Sequence, residues 1–195
     1  MNPATATHIQ AEGDGEIIAR TRHWIERAVI GLNLCPFARA PFIAQRVRYR
    51  VSEARDTGTL LDELCGELQS LRAADPVDCE TSLLIIPHVL ADFLEFNDFL
   101  DEADAAIKVL GLEGEIQVAS FHPDYQFADA AADDIENFSN RSPLPMLHLL
   151  REASIERAVD SMTDSDEIYR RNMVTLRTLG VEGWADLWRD PGEGA

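Results

Sequence analysis

The sequence predicts an α/β fold, with a small three-stranded mixed or parallel sheet, crossover helices and a C-terminal helical cluster. Three short apolar segments with the character of β-strands occupy residues 46–51, 81–89 and 115–120. Helical patterns of 13 to 19 residues separate them, and helices of that length suit crossover connections between strands of one sheet. After residue 142 the apolar residues follow only the helical period, which predicts the C-terminal cluster.

Length and composition predict one soluble domain. The chain has 195 residues, 46% of them hydrophobic, which is enough for one core. We expect a disordered tail over residues 1–15, a single domain over 16–189 and a frayed end over 190–195. The formal net charge of −18 repels phosphate backbones and anionic lipid, so we expect neither a nucleic-acid nor a membrane partner. Three cysteines without a CxxC pair, and an N-terminus without an export pattern, predict a cytoplasmic protein.

The first half of the chain alternates between the two periods. Apolar residues recur on one helical face from residue 16 until Gly31, where the pattern stops. Residues 46–51 alternate strictly between arginine and apolar residues, as a half-buried strand does. The arginine row can attract an anionic substrate or the acidic face of a second copy in a homodimer, and our default interpretation is that it guards an edge strand. Helical spacing returns over residues 59–71.

The second half continues this alternation. Residues 81–89 are apolar on both parities, which predicts a central strand covered on both faces. A long amphipathic helix is predicted over residues 92–110. Three helical patterns end the chain, over residues 143–162, 166–179 and 181–188. Ser142 and Pro143 have the character of a cap and first residue for the first of them.

The segment between the third strand and Arg141 is about twenty residues long and follows neither period. Loops longer than about 12 to 15 residues are commonly functional or disordered, and the aromatic residues of this one argue for order. We therefore expect an ordered loop that carries a site. The other possibility is that the loop only fastens the sheet to the C-terminal helices.

His122 is the first candidate in this loop, as an acid/base residue. It follows a strand end, where ligands gather in open α/β sheets, and Asp124 is close enough in sequence to orient its ring. Tyr125 is a candidate hydrogen-bond donor to the same ligand. The alternative is that the His-Pro-Asp sequence is simply a turn.

Arg141 is the second candidate, as a clamp for an anionic group beside a helix start. Its alternative role is to pair with the acids of its own loop. His148 and Arg151 lie three residues apart on the predicted helix 143–162, so they are expected on one helical face. They can complete the anion site or form a solvated stripe.

Cys35 is the third candidate, because it is the one cysteine placed outside a regular element, before Pro36. Nearby arginines such as Arg39 can favour its thiolate, which would make it a catalytic nucleophile, a redox thiol or a metal ligand. The alternative is a small buried thiol in a wall. The chain has no HxxxH, HExxH or paired CxxC, so no metal is predicted. It also lacks the glycine-rich nucleotide and GxSxG hydrolase motifs, and the cofactor is left unknown.

Three stretches resemble a bacterial family known as domain of unknown function 1415. The stretches are Gly31-Leu32-Asn33-Leu34-Cys35-Pro36-Phe37, Phe121-His122-Pro123-Asp124-Tyr125-Gln126-Phe127, and Asn137-Phe138-Ser139-Asn140-Arg141-Ser142-Pro143 with Leu147-His148-Leu149-Leu150-Arg151-Glu152. The resemblance implies no substrate and assigns no catalytic residue. From the residues we expect a pocket for a small anionic molecule between the Cys35 loop and residues 121–151, used by an enzyme or by a non-catalytic binding protein.

Overall fold

The computed structural model describes residues 13–159 and 165–188, which form one four-stranded sheet with helices on both faces. The strands are β1 (Val47–Val51), β2 (Thr81–Ile85), β3 (Ile116–Phe121) and β4 (Met146–Arg151). The helices are α1 (Asp14–Trp24), continued by a π-helix (Ile25–Ile30), α2 (Arg39–Ile43), α3 (Thr57–Ala73), α4 (Phe93–Val109), a 3-10 helix (Ile135–Ser139), α5 (Glu152–Val159) and α6 (Ser165–Asp186), which is broken at Gly180. The predicted tail lies outside the described residues up to residue 12, as does the predicted frayed end.

The prediction of mixed helix and strand content with a single sheet is confirmed, but the number of strands is wrong. The sheet order is β1-β2-β4-β3, with β1 parallel to β2 and β4 antiparallel to both of its neighbours. The three predicted strands therefore all run in the same direction. The strand that we missed lies between the second and third of them.

The predicted helix over residues 143–162 is wrong for its first part, because residues 146–151 form β4 and the helix α5 begins at Glu152. Met and Leu favour helices, but this segment fills the gap between β2 and β3 and satisfies the hydrogen bonds of both. His148 and Arg151 consequently do not share a helical face. They lie on a strand, at positions of opposite parity.

One face of the sheet is covered by α3 and α4 and forms the larger core. Both helices are capped by an aspartate, since Asp56 accepts the Thr59 N–H and Asp92 accepts the Leu94 N–H. Their inner faces bury residues such as Leu60 and Phe96 completely against the strands. Each such side chain contributes about 1.5–3 kcal/mol of hydrophobic stabilisation.

The other face of the sheet presents three rows of side chains that cross all four strands. In strand order the rows are Val47-Thr81-Leu150-Gln117, Tyr49-Leu83-His148-Ala119 and Val51-Ile85-Met146-Phe121. Helix α1 and the π-helix pack on the third row and on part of the second, through Ile17 and Trp24. The rest of the first two rows, towards β3, borders an open space.

The arginine row of β1 lies on an edge strand, as our default interpretation expected. Two of its members form ion pairs within the same protein, Arg48 with Glu67 at 3.0 Å and Arg46 with Glu80 at 2.9 Å. Charged side chains on an edge strand disfavour its pairing with the strand of another chain.

The loop between β3 and β4 is ordered through its own hydrogen bonds. Asn137 is fully buried, and its side chain accepts the Phe127 N–H at 3.0 Å and donates to the Ala131 carbonyl at 2.7 Å. The 3-10 helix of this loop packs on α6, where Phe138 contacts Trp184. The loop therefore does connect the sheet to the C-terminal helix, in line with the structural alternative.

Candidate functional site

The open part of the second sheet face is a cavity of about 510 Å³, which we call the sheet cavity. Its floor is formed by the first two rows of the sheet, and Phe121 and Trp24 lie at one end. Residues 35–42 and the π-helix form a second wall, and α5 contributes Ser154 and Ile155 at the other end. Most of the lining is apolar, and a cavity of this size suits a small organic molecule.

The wall that carries Cys35 depends on a sharp change of direction after the π-helix. A Cβ atom at Gly31 would lie 2.1 Å from the Arg27 carbonyl oxygen, so only glycine fits there. Asn33 follows with φ of 54°, in the left-handed region that asparagine tolerates. The Leu34 N–H then donates to the Val29 carbonyl at 2.9 Å, which closes the turn and places Cys35 beside the cavity.

The Cys35 thiol is held in its neutral form. Burial raises its pKa, and this effect outweighs the opposing influence of the Phe37 and Ala38 backbone N–H groups and of the Arg171 charge. A thiol is a much weaker nucleophile than a thiolate. The structure therefore places Cys35 in a cavity wall without activating it.

His148 lies in the middle of the cavity floor, and its contacts define its tautomer. The Thr81 hydroxyl has a single proton, which it donates to the Leu149 carbonyl at 2.6 Å. The His148 Nε2 atom is 2.7 Å from the same hydroxyl oxygen, so Nε2 must carry a proton and donate it. Burial lowers the pKa of His148 to about 4, which leaves the ring neutral with a lone pair on Nδ1.

Arg151 borders the same cavity and also closes the end of a helix. Its Nη2 atom donates to the carbonyls of Leu71, of Ala74 at 2.7 Å and of Cys79 at 3.4 Å. Two of these carbonyls belong to the last turn and cap of α3, where helical backbone acceptors have no partner of their own. Within the described residues the Arg151 Nε atom is buried without a hydrogen-bond partner.

The polar residues of the cavity gather at one of its ends. Thr81 and Gln117 belong to the first row of the sheet, and Arg151 and Ser154 lie next to that row. Glu80 also lines this end, and its Oε2 atom forms an ion pair with the Arg46 Nη1 atom at 2.9 Å. The orientation of the two groups is not that of a hydrogen bond. The cavity thus has a polar end and an apolar end.

The structure brings together three of the residues that the sequence singled out and separates the others from them. Cys35, His148 and Arg151 line the sheet cavity. His122, Asp124, Tyr125 and Arg141 do not line it. Of residues 121–151, Phe121 and residues of β4 line the cavity with Cys35, whereas the loop between β3 and β4, which carries His122 and Arg141, does not.

His122 is fully buried and both of its ring nitrogens bond to the backbone. Nδ1 accepts the Asp124 N–H at 3.0 Å, and Nε2 lies 3.2 Å from the Leu90 carbonyl, which can only accept. The ring is therefore neutral, with its proton on Nε2, and burial lowers its pKa. Phe93 and Phe96 pack against it. This environment holds a turn together and gives no access to a substrate.

Arg141 does not pair with the acids of its loop, which was the alternative to an anion clamp. Its Nε atom donates to the Tyr125 carbonyl at 3.3 Å and its Nη2 atom to the Ala132 carbonyl at 2.6 Å. The guanidinium also lies 4.4 Å from the centre of the Phe138 ring. The Tyr125 side chain packs its ring against Phe93 and Phe127.

Sequence reasoning missed Thr81, Gln117 and Trp24 as cavity residues. A strand assignment for residues 146–151 would have placed His148 and Leu150 together on the floor, because they share one parity of β4. Pro143 and Pro145 supplied a signal, since the residue before a proline favours an extended backbone. The helix was predicted because Ser142 and Pro143 have the character of a helix cap and first residue.

Comparisons with known proteins give one match. A family model described as "Protein of unknown function (DUF1415)" matches residues 16–186. No curated protein and no solved structure matches the chain. Among the helices of the described residues, none has the length and apolar character needed to cross a membrane.

Proposed function

The chain belongs to the family of proteins of unknown function DUF1415, and from its geometry we propose that it binds a small amphipathic molecule in the sheet cavity. The observation that carries this proposal is the division of the cavity into an apolar end, at Trp24 and Phe121, and a polar end, at Thr81, Gln117 and Arg151. Along β3 the distance from Gln117 to Phe121 covers four residue steps, or about 13 Å. A ligand with an elongated apolar body and one polar head matches this shape.

The head group is a hydrogen-bond acceptor, with a carboxylate as the best match. Arg151 brings a positive charge to the polar end, while the Glu80 carboxylate at the same end is paired with Arg46. Ser154 and Gln117 add uncharged donors. This keeps the small anionic ligand that the sequence suggested, and moves its head group from Arg141 to the end of β4.

Binding without chemistry is the better supported form of this function. Burial keeps the Cys35 thiol protonated, and His148 already donates its one proton to Thr81. Neither group is prepared as a nucleophile or as a base with a pKa near neutrality. We place this function in the bacterial cytoplasm, in keeping with three free cysteines in the chain.

The test uses 1-anilinonaphthalene-8-sulfonate, which has an apolar body and an anionic group, with decanoate as its competitor. We expect saturable binding, measured by probe fluorescence, in which decanoate displaces one equivalent of probe per chain. Ala119→Leu fills the centre of the floor and is expected to weaken binding by at least about tenfold. Ala105→Leu adds the same volume at an exposed position on α4 and is the matched control.

A second readout keeps the proposal testable if Ala119→Leu does not fold. Because Cys35 lines the cavity, saturating decanoate should slow its alkylation by iodoacetamide. Cys65, which is also partly exposed, lies outside the cavity, and its alkylation should not change. Equal binding by the two alanine variants, or equal Cys35 alkylation with and without decanoate, would refute the proposal.

A further inference from the structure

A second cavity, of about 570 Å³, lies between α1, the loop before β4 and the end of α6. We call it the aromatic cavity, and its walls include Phe138, Trp184 and Trp188. Of the described residues, Trp24 alone lines both this cavity and the sheet cavity. The aromatic cavity is therefore a separate site, and the proposed function does not use it.

Among the residues that the structure describes, the titratable ones that line the aromatic cavity are all bases, namely Arg20, His23 and Arg141. This is unusual in a chain with a formal net charge of −18. The acids nearest in sequence to Arg141 are engaged elsewhere, since Asp134 caps the 3-10 helix and Glu136 pairs with Arg177. Among the described residues no carboxylate forms an ion pair with Arg141. Arg141 therefore brings to the lining of this cavity a charge that has no ion-pair partner among the described residues.

A row of aromatic rings begins at this charge. Phe138 lies under the Arg141 guanidinium and contacts Trp184 edge to face, with ring centres 5.2 Å apart. Trp184 in turn contacts Trp188 edge to face at 5.6 Å, and the His23 ring is 6.1 Å from Trp188. Trp188 retains 38% of its surface exposed. An exposed tryptophan at the edge of an aromatic cluster leaves a ring surface on which a planar ligand can stack.

Arg141 is held in place before any ligand arrives. Its backbone carbonyl accepts the Trp24 Nε1–H at 2.9 Å, and its side chain is fixed by the Tyr125 and Ala132 carbonyls and by the Phe138 ring. A group fixed in advance loses little conformational entropy on binding, so more of the interaction free energy contributes to affinity. Arg141 and the Phe138 ring beneath it belong to residues 137–143, part of one of the three stretches that resemble the family.

We propose that the aromatic cavity binds a small planar aromatic carboxylate. The carboxylate contacts the Arg141 guanidinium, with His23 as a further donor, and the ring packs against Trp188 and Phe138. A single negative charge on a small molecule is attracted by this local basic group, whereas the overall field of the protein repels a polyanion. The ligand class therefore combines the two features of the cavity, an anion site and an aromatic surface.

The test compares three probes by isothermal titration calorimetry: 2-naphthoate, the uncharged 2-naphthalenemethanol, and acetate. We expect 2-naphthoate to bind at least about tenfold more tightly than either of the others, because each of them lacks one of the two recognised features. Arg141→Gln should weaken 2-naphthoate binding by a similar factor and leave 2-naphthalenemethanol binding unchanged. Arg55→Gln, at an exposed position outside both cavities, is the matched control and should bind as the wild type does.

Two further variants separate this proposal from the proposed function and from loss of folding. Ala119→Leu blocks the sheet cavity, so it should leave 2-naphthoate binding intact if the two sites are independent. Trp188→Leu alters an exposed position and should weaken 2-naphthoate even if Arg141→Gln does not fold. Equal affinity for 2-naphthoate and its alcohol, equal affinity for 2-naphthoate and acetate, or loss of binding in Ala119→Leu but not in Trp188→Leu would overturn the proposal.

Discussion

Replacing His148 by glutamine should reduce the loss of stability of the protein between pH 7 and pH 5. In the wild type the neutral ring donates from Nε2 to the Thr81 hydroxyl, which itself donates to the Leu149 carbonyl. Glutamine keeps an N–H donor for Thr81 but cannot take up a proton. The substitution therefore removes the titration and keeps a donor for the hydrogen bond.

The size of the effect follows from the pKa of the ring. Folding lowers the pKa of His148 from 6.5 to about 4, so between these values the unfolded chain binds more protons than the folded one. The free energy of unfolding must then decrease as the pH falls from 6.5 to about 4. At about 1.4 kcal/mol per pKa unit the full loss is about 3 kcal/mol, and about 2 kcal/mol of it occurs by pH 5. Because the ring is partly exposed to the sheet cavity, solvent screening makes these values upper bounds.

Urea denaturation followed by circular dichroism at pH 5, 6, 7 and 8 measures this difference. We expect the wild type to lose up to about 2 kcal/mol more than His148→Gln between pH 7 and pH 5. His88→Gln, the same substitution at an exposed position, is the control and should follow the wild-type curve. If His148→Gln also runs parallel to the wild type, the ring is not held neutral by its site, and the assignment of its tautomer fails.

Three other predictions test the walls of the sheet cavity. Gly31→Ala places a Cβ 2.1 Å from the Arg27 carbonyl oxygen and should lower the free energy of unfolding, measured by urea denaturation, by about 1–3 kcal/mol. Gly66→Ala, where nothing lies within 4 Å of the added Cβ, should be neutral or stabilising. Equal effects of the two substitutions would contradict the steric argument. Arg151→Met removes the donor to the end of α3 and should lower the free energy of unfolding by about 2–3 kcal/mol, and an unchanged midpoint would show that this cap is not needed. Because burial raises the pKa of the Cys35 thiol, its alkylation by iodoacetamide at pH 7.5 should be at least about tenfold slower than that of free cysteine. An alkylation rate equal to that of free cysteine would show that the pKa of this thiol is not raised.

The elements that were predicted correctly carry their signals within a few residues. The strand β1 alternates between arginine and apolar side chains, and α4 begins at the Asp92 cap and keeps its apolar face to the end. β4 has no such local signal, because its strand conformation depends on the edges of β2 and β3, which lie far away in the sequence. Tertiary pairing decided its structure against the helical preference of its own residues.

The same distinction applies to the candidate site. We could predict that Asp124 lies near His122, but the other partner of the ring is the Leu90 carbonyl, 32 residues away. The contact between Thr81 and His148 joins residues 67 positions apart. Sequence patterns can indicate which residue types have chemical potential, but burial and long-range partners decide which of them a ligand can reach.

The position of β4 has a consequence for synthesis on the ribosome. β4 is the last strand to be made, yet it occupies an inner position of the sheet between β2 and β3. A nascent chain that ends before residue 146 therefore exposes two strand edges that have no partner within it, and such edges pair readily with other chains. Chaperone protection during translation should matter most for this protein in the interval before residue 151 leaves the exit tunnel.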